Sequence, residues 1–225
     1  MKKLIFLSAL IALNLVGCGH SKELEQENTS LKEQLRVLQE ENAKLQIDKT
    51  RLDFLTTKMT GLKARVLTSL GDIEVEFFSD KAPLHCFSFI TRAECGFYNN
   101  TEFHRVIPGF MIQGGDPNTK DQDPYNDGMG GPQVMIPHEF NDIHHAPGIL
   151  SMARVGDVNA GAGSQFFIMH GDSPQLDRQY TAFGKVLRGM EVVEKIATTE
   201  TNRNDPRLRD HPIKPVIIKA IQIFR

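Results

Sequence analysis

Apolar and polar residues alternate in several short runs beyond residue 62, as they do in β-strands with one buried face. The runs 65–70 and 72–78 flank Leu70-Gly71, and this arrangement predicts a β-hairpin. A further alternating run, Val216 to Phe224, follows two prolines and predicts the last strand. The other strand-like segments are short and are separated by turns rich in Gly and Pro.

Two helices are predicted among these strands. Pro83 and Gly96 bracket the first helix, because proline suits a first helical turn and glycine a helix end. The second is expected from Glu191 to Ala197. We expect three aromatic residues of this region in the core: Phe87, Phe89 and Phe97. Many short strands with two helices predict a mainly β fold, a closed antiparallel barrel with helical caps.

Residues before this domain follow a different period. Apolar residues recur every seven positions, at Leu24, Leu31, Leu38, Leu45, Leu52 and Met59. If these occupy heptad position d, position a holds Asn28, Leu35, Asn42, Lys49 and Thr56. Such a repeat predicts a long N-terminal helix that forms a coiled coil.

The charges beside the heptad leave two possibilities open. Glu27 and Lys32 would attract across a parallel dimer, whereas Asp48 and Asp53 would repel. The segment 24–59 is therefore either a weak homodimer or a lone helical spacer of about 60 Å. In both cases it would hold the following domain away from a surface. A stalk that is the main function, with the domain as its passenger, is a third possibility.

The N-terminus has the pattern of an export signal. Lys2 and Lys3 precede an apolar run, Leu4 to Val16, of thirteen residues interrupted by Ser8 and Asn14. A spanning helix needs about 20 residues, so this length is typical of a signal peptide.

The sequence Leu15-Val16-Gly17-Cys18 resembles the cleavage box of bacterial lipoproteins. The resemblance implies cleavage before Cys18, acylation of that residue and attachment to a membrane, with the domain outside the cytoplasm. Gly19, where an inner-membrane retention signal often has Asp, favours the outer membrane. The alternative is an ordinary secretory signal in which the cysteine is coincidental. We therefore expect a signal peptide at 1–17, a stalk at 18–60 and a globular domain at 62–225.

Composition excludes some classes of function. The formal net charge is −2, which gives no basic surface for nucleic acid. Cys86 and Cys95 are nine residues apart on the predicted helix, a rise of about 13.5 Å, and a disulfide needs Cα atoms within about 7 Å. His144-His145 is the only adjacent His pair and has no further ligand at metal-binding spacing.

The most specific stretch runs from Phe103 to Asp116. It places one cation, Arg105, among apolar strand residues, and the alternation puts Met111 and Gln113 on the same face after a Pro-Gly turn. Burying an arginine without a partner is costly, so from these residues alone a structural Arg paired with a carboxylate is the simpler interpretation.

That stretch is similar to the signature of the cyclophilin family of peptidyl-prolyl cis-trans isomerases. Two further blocks resemble the family and follow in family order: residues 148–153 with 163–168, and Leu176-Asp177 with 183–186. The resemblance covers nearly all of 62–225. It implies an eight-stranded antiparallel barrel capped by two helices, and a catalyst of rotation about Xaa-Pro bonds in proline-containing polypeptides, with no metal or organic cofactor.

The resemblance also implies a site. Arg105 would donate to the twisted proline amide, and Gln113 would orient Arg105 or meet the substrate carbonyl. Backbone groups at Arg154 would pair with the residue before proline. The remaining implied substrate-binding residues are Phe110, Met111, Ala153, Gln165, Phe167, Leu176 and Tyr180. The loop Gly128, Gly130 and Gly131 resembles the turn that lines the family's groove.

Three positions depart from the family pattern. Gln175 stands where many members have Trp, which implies weak cyclosporin sensitivity. Tyr180 replaces a common His, and Arg154 a common Asn. The competing hypothesis is a proline-binding adaptor whose catalysis is incidental, but a pure binder would not need the cation at Arg105.

Overall fold

A computed structural model describes residues 21–225. The chain divides into two units, one reaching Arg51 and the other running from Leu52 to Arg225. The predicted signal peptide and the lipidated Cys18 lie outside the described residues. No helix among residues 21–225 combines the length and apolarity needed to cross a bilayer.

The predicted N-terminal helix is confirmed as α1, Ser21–Met59. Ion pairs one turn apart support it, since Arg36 contacts both Glu33 and Glu40. Leucines of its heptad pattern remain exposed, with accessible fractions of 37–64% at Leu31, Leu35, Leu38 and Leu45. The structure holds one copy of the chain, so the coiled-coil dimer stays a prediction.

Beyond the end of α1, the second unit contains two further α-helices, α2 (Pro83–Glu94) and α3 (Met190–Ala197), in agreement with the sequence. Nine strands are described within residues 21–225: β1 Lys63–Thr68, β2 Gly71–Phe77, β3 Thr101–Glu102, β4 Arg105–Ile107, β5 Met111–Gly114, β6 Ile149–Arg154, β7 Ala162–Met169, β8 Thr181–Arg188 and β9 Ile217–Phe224.

All nine described strands belong to one curled antiparallel sheet, in the order β3-β9-β1-β2-β8-β6-β7-β5-β4. The predicted hairpin is confirmed as β1–β2, which turns at Gly71 with a φ of +135°. The expected eight strands become nine because the chain changes partner between Glu102 and Arg105, from β9 to β5. The hydrogen-bonded order has two ends, so closure into a barrel stays a prediction.

A group of aromatic rings fills the core between the sheet and α2. Phe89 is fully buried, and its ring centroid lies 5.1–5.7 Å from four others, those of Phe77, Tyr98, Phe166 and Phe183. Phe97 packs against this core from its edge. Phe87 was wrongly expected in the core: it is 43% exposed, because two residues along a helix turn a side chain by about 200°.

A distant carboxylate anchors the first turn of α2. Residue Ala82 cannot cap the helix with its side chain, and Leu84 N and His85 N donate instead to Glu139, at 3.0 and 2.9 Å. The negative charge at the helix N-terminus also favours the peptide dipoles.

Replacing Phe89 with Ala should lower the free energy of unfolding by about 3–5 kcal/mol, because it leaves a cavity among packed rings. Urea denaturation followed by circular dichroism measures this loss. Phe87→Ala, on the exposed side of the same helix, is the matched control and should cost within about 0.5 kcal/mol. Equal losses in the two variants would contradict the described core.

Candidate active site

A second group of apolar residues lies apart from the main core, and we name it the apolar cluster. Its buried members are Met111, Phe167 and Met169. Met111 is opposite Met169 in the β5–β7 pairing, which brings the two strands' side chains onto one face. The partly buried members are Ile107, Phe110, Ile149, Ala153, Leu176 and Tyr180. The cluster thus gathers six of the residues predicted for substrate binding.

Leu176, a member of the apolar cluster, is held in position by the histidine pair at 144–145. His145 N donates to Asp177 Oδ1 at 2.8 Å, and Ser173 N donates to His145 O at 3.0 Å. The hydrogen bond from His144 lowers the pKa of Asp177 to about 2 and raises that of His144. The turn that carries Leu176 is therefore held at both ends.

The position of Phe110 depends on His170, a residue that was not predicted from the sequence. Gly109 N donates to His170 Nδ1 at 2.8 Å, and His170 N donates to Phe110 O at 2.9 Å. His170 Nε2 contacts the Glu194 carboxylate on α3. Since Nδ1 accepts, the ring proton belongs on Nε2 in this arrangement. Only the contact geometry identifies this residue, since a histidine at a strand end carries no sequence signal.

Arg105 stands at the edge of the sheet with its side chain 46% exposed. Its Nε lies 3.5 Å from Asp210 Oδ2, and Val106 N donates to Asp210 O at 2.8 Å. The arginine therefore has a carboxylate partner, as the structural interpretation expected, but remains accessible to a ligand. Asp210 was missed because 105 residues separate the two side chains in the chain.

The glutamines form a separate network. Gln113 lies opposite Arg105 in the β4–β5 pairing, but its Nε2 donates to Gln165 Oε1 at 2.9 Å. It is Asp210, and not Gln113, that contacts Arg105 among the described residues. Gln165 Nε2 lies 2.8 Å from Gly130 O and 3.2 Å from Asp116 Oδ2. This network ties the strands to the glycine loop that was expected to line the groove.

Arg154 connects two sides of the site through its side chain. Its guanidinium carbon lies 4.7 Å from the centre of the Tyr180 ring, and its Nε donates to Gln179 O at 2.9 Å. The Tyr180 ring in turn meets Phe167 edge-on at 5.6 Å. From the sequence we expected only a backbone role for Arg154, and its stacking on Tyr180 was not foreseen.

An accessible cation thus lies opposite an amide, on strands that also carry members of the apolar cluster. Sequence comparison shows the family of the domain that holds them. Residues 63–223 match the family described as cyclophilin type peptidyl-prolyl cis-trans isomerase/CLD. The chain belongs to the cyclophilin-type isomerase family. Peptidyl-prolyl cis-trans isomerisation is the activity of this family.

Individual relatives agree with this family assignment. A peptidyl-prolyl cis-trans isomerase-like 3 of Dictyostelium discoideum is 41% identical over 163 residues, 69% of this chain and 91% of that protein. The isomerase-like 2 of Rhizopus delemar is 42% identical over 72% of this chain, but only 28% of that longer protein is matched. A Cryptosporidium parvum cyclophilin-type isomerase, crystallised with the dipeptide Ala-Pro, has a TM-score of 0.64 and 33% identity, covering 72% of this chain and 99% of that one.

These relatives are eukaryotic, and their similarity supports the isomerase domain. It gives no support to the predicted bacterial lipoprotein or to the coiled-coil stalk. As for metals, the part of the chain from residue 21 onward brings no three His, Cys, Asp or Glu side chains together as a metal ion would require.

Beside the cyclophilin-type arginine lies an unusual histidine. His104 is only 5% exposed, and neither ring nitrogen has a hydrogen-bond partner among the described residues. Burial lowers the pKa of His104 to about 4, against a weaker opposing effect of the Asp116 carboxylate. The ring is therefore neutral at pH 7 and adds no positive charge next to Arg105.

The buried His104 should make stability depend on pH. Below about pH 6.5 the unfolded chain protonates this ring and the folded chain does not, so the free energy of unfolding should fall by about 3 kcal/mol as the pH drops to 4. His104→Gln should remove this part of the slope, as measured by urea denaturation at a series of pH values.

His144→Gln is the control of opposite sign. The pKa of His144 is raised in the folded state, so its stabilisation is present at low pH and is lost as the pH rises. Parallel pH profiles for the wild type and His104→Gln between pH 6.5 and 4 would contradict the neutral buried ring.

Proposed function

We propose that this cyclophilin-type isomerase uses Arg105 to accelerate rotation of Xaa-Pro bonds in extracytoplasmic proteins. The observation that carries the proposal is the position of Arg105, an accessible cation beside the apolar cluster, on the strand next to Gln113. An Xaa-Pro amide resists rotation by about 18–20 kcal/mol because it is conjugated. A catalyst must therefore favour the twisted amide over both planar forms.

Arg105 has the chemistry for this task. Twisting removes conjugation and makes the imide nitrogen basic, so it becomes a better acceptor of a hydrogen bond. With Nε directed at Asp210, the Nη hydrogens of Arg105 remain available to the substrate. Because this donation is strongest in the twisted state, it lowers the barrier without a covalent intermediate.

The apolar cluster would hold the proline ring in place. Phe110, Met111, Phe167 and Leu176 offer an apolar surface, and Gln113 and Gln165 offer amide groups for the neighbouring peptide. The backbone at Ala153 and Arg154 would pair with the residue before proline. Lowering the barrier by about 7 kcal/mol would accelerate rotation roughly 10⁵-fold.

We further propose that the two end strands close the sheet into the predicted barrel. Only Phe103 and His104 separate β3 from β4, and Phe103 N continues the β3–β9 pairing by donating to Val216 O at 2.9 Å. Closure here would keep Arg105 between β5 and the loop that carries Asp210.

Arg105→Ala should reduce kcat/KM on a short Xaa-Pro peptide about 100-fold or more, because the donor to the twisted amide is lost. A protease-coupled assay measures this rate. Arg188→Ala, whose side chain is 83% exposed on β8, is the matched control and should leave the rate unchanged. Equal rates for Arg105→Ala and the wild type would favour the proline-binding adaptor instead.

We propose further that lipid on Cys18 holds the protein at a membrane, with the isomerase domain outside the cytoplasm and the outer membrane as the favoured location. The support is the sequence alone: the basic start, the short apolar run and the cysteine where that run ends.

Cys18→Ser should move the protein from the membrane fraction to the soluble fraction of expressing bacterial cells and abolish its labelling by radioactive palmitate, because the thiol that would take up the lipid is lost. Cys95→Ser is the matched control and should stay membrane-bound. Continued labelling and membrane association of Cys18→Ser would contradict the anchor.

We propose that α1 pairs with α1 of a second copy in a parallel coiled coil. The support is the exposure of Leu31, Leu38 and Leu45, which recur every seven residues. Without a partner these side chains leave apolar surface in water.

Sedimentation of residues 19–225 should show a concentration-dependent dimer, and Leu38→Lys with Leu45→Lys should shift it to monomer, because charges would enter the apolar seam. Lys32→Gln, at a flanking position, is the control and should preserve most of the dimer. A monomer at all concentrations would leave α1 as a spacer.

A further inference from the structure

A cleft of about 380 Å³ opens beside Arg105, and we name it the arginine cleft. One wall is the loop Pro206–His211, and the other includes Arg105, Gln113 and Arg154. It is separate from the apolar cluster, since its lining is mostly polar and includes none of Met111, Phe167 or Leu176. Because it shares Arg105 and Gln113 with the proposed catalytic site, a chain bound there would pass directly by this cleft.

Positive charge predominates in the arginine cleft. Four guanidinium groups line it, those of Arg105, Arg154, Arg207 and Arg209, against two carboxylates. Both carboxylates already have partners: Asp127 Oδ2 lies 2.8 Å from His211 Nε2, and Asp210 lies 3.5 Å from Arg105. The four arginines are less completely neutralised than these two carboxylates.

The four arginines differ in what they contact. Arg154 donates to backbone carbonyls, which leaves its charge unbalanced. The Arg207 guanidinium lies 4.1 Å from the centre of the Tyr125 ring and 4.0 Å from the Asp205 carboxylate. Arg209 is exposed and has no hydrogen-bond or ion-pair partner within residues 21–225. Arg209 can therefore receive an anion directly. Arg207, whose side chain is 74% exposed and whose carboxylate contact is 4.0 Å long, can contribute a second guanidinium.

The loop is held in place before any ligand arrives. Asn202 N donates to His211 O at 3.0 Å, and Val106 N donates to Asp210 O at 2.8 Å. The Tyr125 hydroxyl donates to Asp205 Oδ2 at 2.9 Å. A fixed loop spares a ligand the entropy of ordering it, so the cleft is preorganised.

We propose that the arginine cleft is a specificity subsite for an aspartate or glutamate side chain of the client, within two residues of the proline. A planar guanidinium matches a carboxylate in two parallel hydrogen bonds, which favours a carboxylate over a neutral side chain of similar size. Two extended residues span about 7 Å, a distance that keeps such a side chain near Arg105. This proposal rests on the proposed function, because it assumes that proline binds beside Arg105.

Matched peptides test the subsite on the full chain. Each peptide contains one proline and carries either Glu or Gln at one of four positions, the two before the proline or the two after it. Exchange NMR measures kcat/KM without a protease. At one position the Glu peptide should be turned over about two- to fivefold faster than its Gln partner, the size expected for an exposed ion pair. Added salt should reduce this ratio.

Variants assign the preference to the cleft. Arg209→Gln, and Arg207→Gln combined with it, should bring the Glu-to-Gln ratio close to one. Asp210→Asn should raise the ratio, because it removes a like charge from the subsite. Arg188→Gln, remote on β8, is the control and should keep the wild-type ratio.

The outcomes separate the two proposals. Acceleration of all peptides with a ratio of one at every position would overturn the subsite and leave the isomerase assignment standing. A ratio that survives in the Arg207→Gln, Arg209→Gln double variant would also overturn it. No acceleration of any peptide would overturn the proposed use of Arg105 together with the subsite.

Discussion

The pairing register of β4, β5 and β7 is the constraint on which the site depends. It places Arg105 opposite Gln113, and Gln113 opposite Phe167, so that a cation, an amide and an aromatic ring form one row across three strands. The next row on the same face contains Met111 opposite Met169. A slip of one residue would turn these side chains to the other face. The chemistry of the domain is thus fixed by backbone hydrogen bonds.

Local sequence was sufficient for the elements that bear this row. The Leu70-Gly71 turn, the helix after Pro83 and the parity of Arg105 with Gln113 depend on neighbours a few residues away, and all three are found in the structure. The short strand β3 was not predicted, because it exists only through its pairing with the distant strand β9, whereas β4 pairs with β5.

The partners of the site residues were harder to foresee. Asp210 reaches Arg105, and Glu139 reaches the first turn of α2, only because the fold returns distant segments to these places. Phe87 was misplaced for a different reason, since a helix with several aromatic residues does not reveal from composition which one faces the core. The family resemblance named six of the nine residues of the apolar cluster but carried no information on these contacts.

The contacts of His170 have a mechanical consequence. Its imidazole joins the Glu194 carboxylate on α3 to the backbone of Gly109, one residue before Phe110. The backbone of Gly171 packs closely at the same junction, since any Cβ there would clash with Gly109 O. One imidazole therefore links helix α3 to the backbone beside Phe110, so the position of this ring depends on where the end of the helix lies. A helix that contributes no residue to the apolar cluster thus helps to position one of its rings.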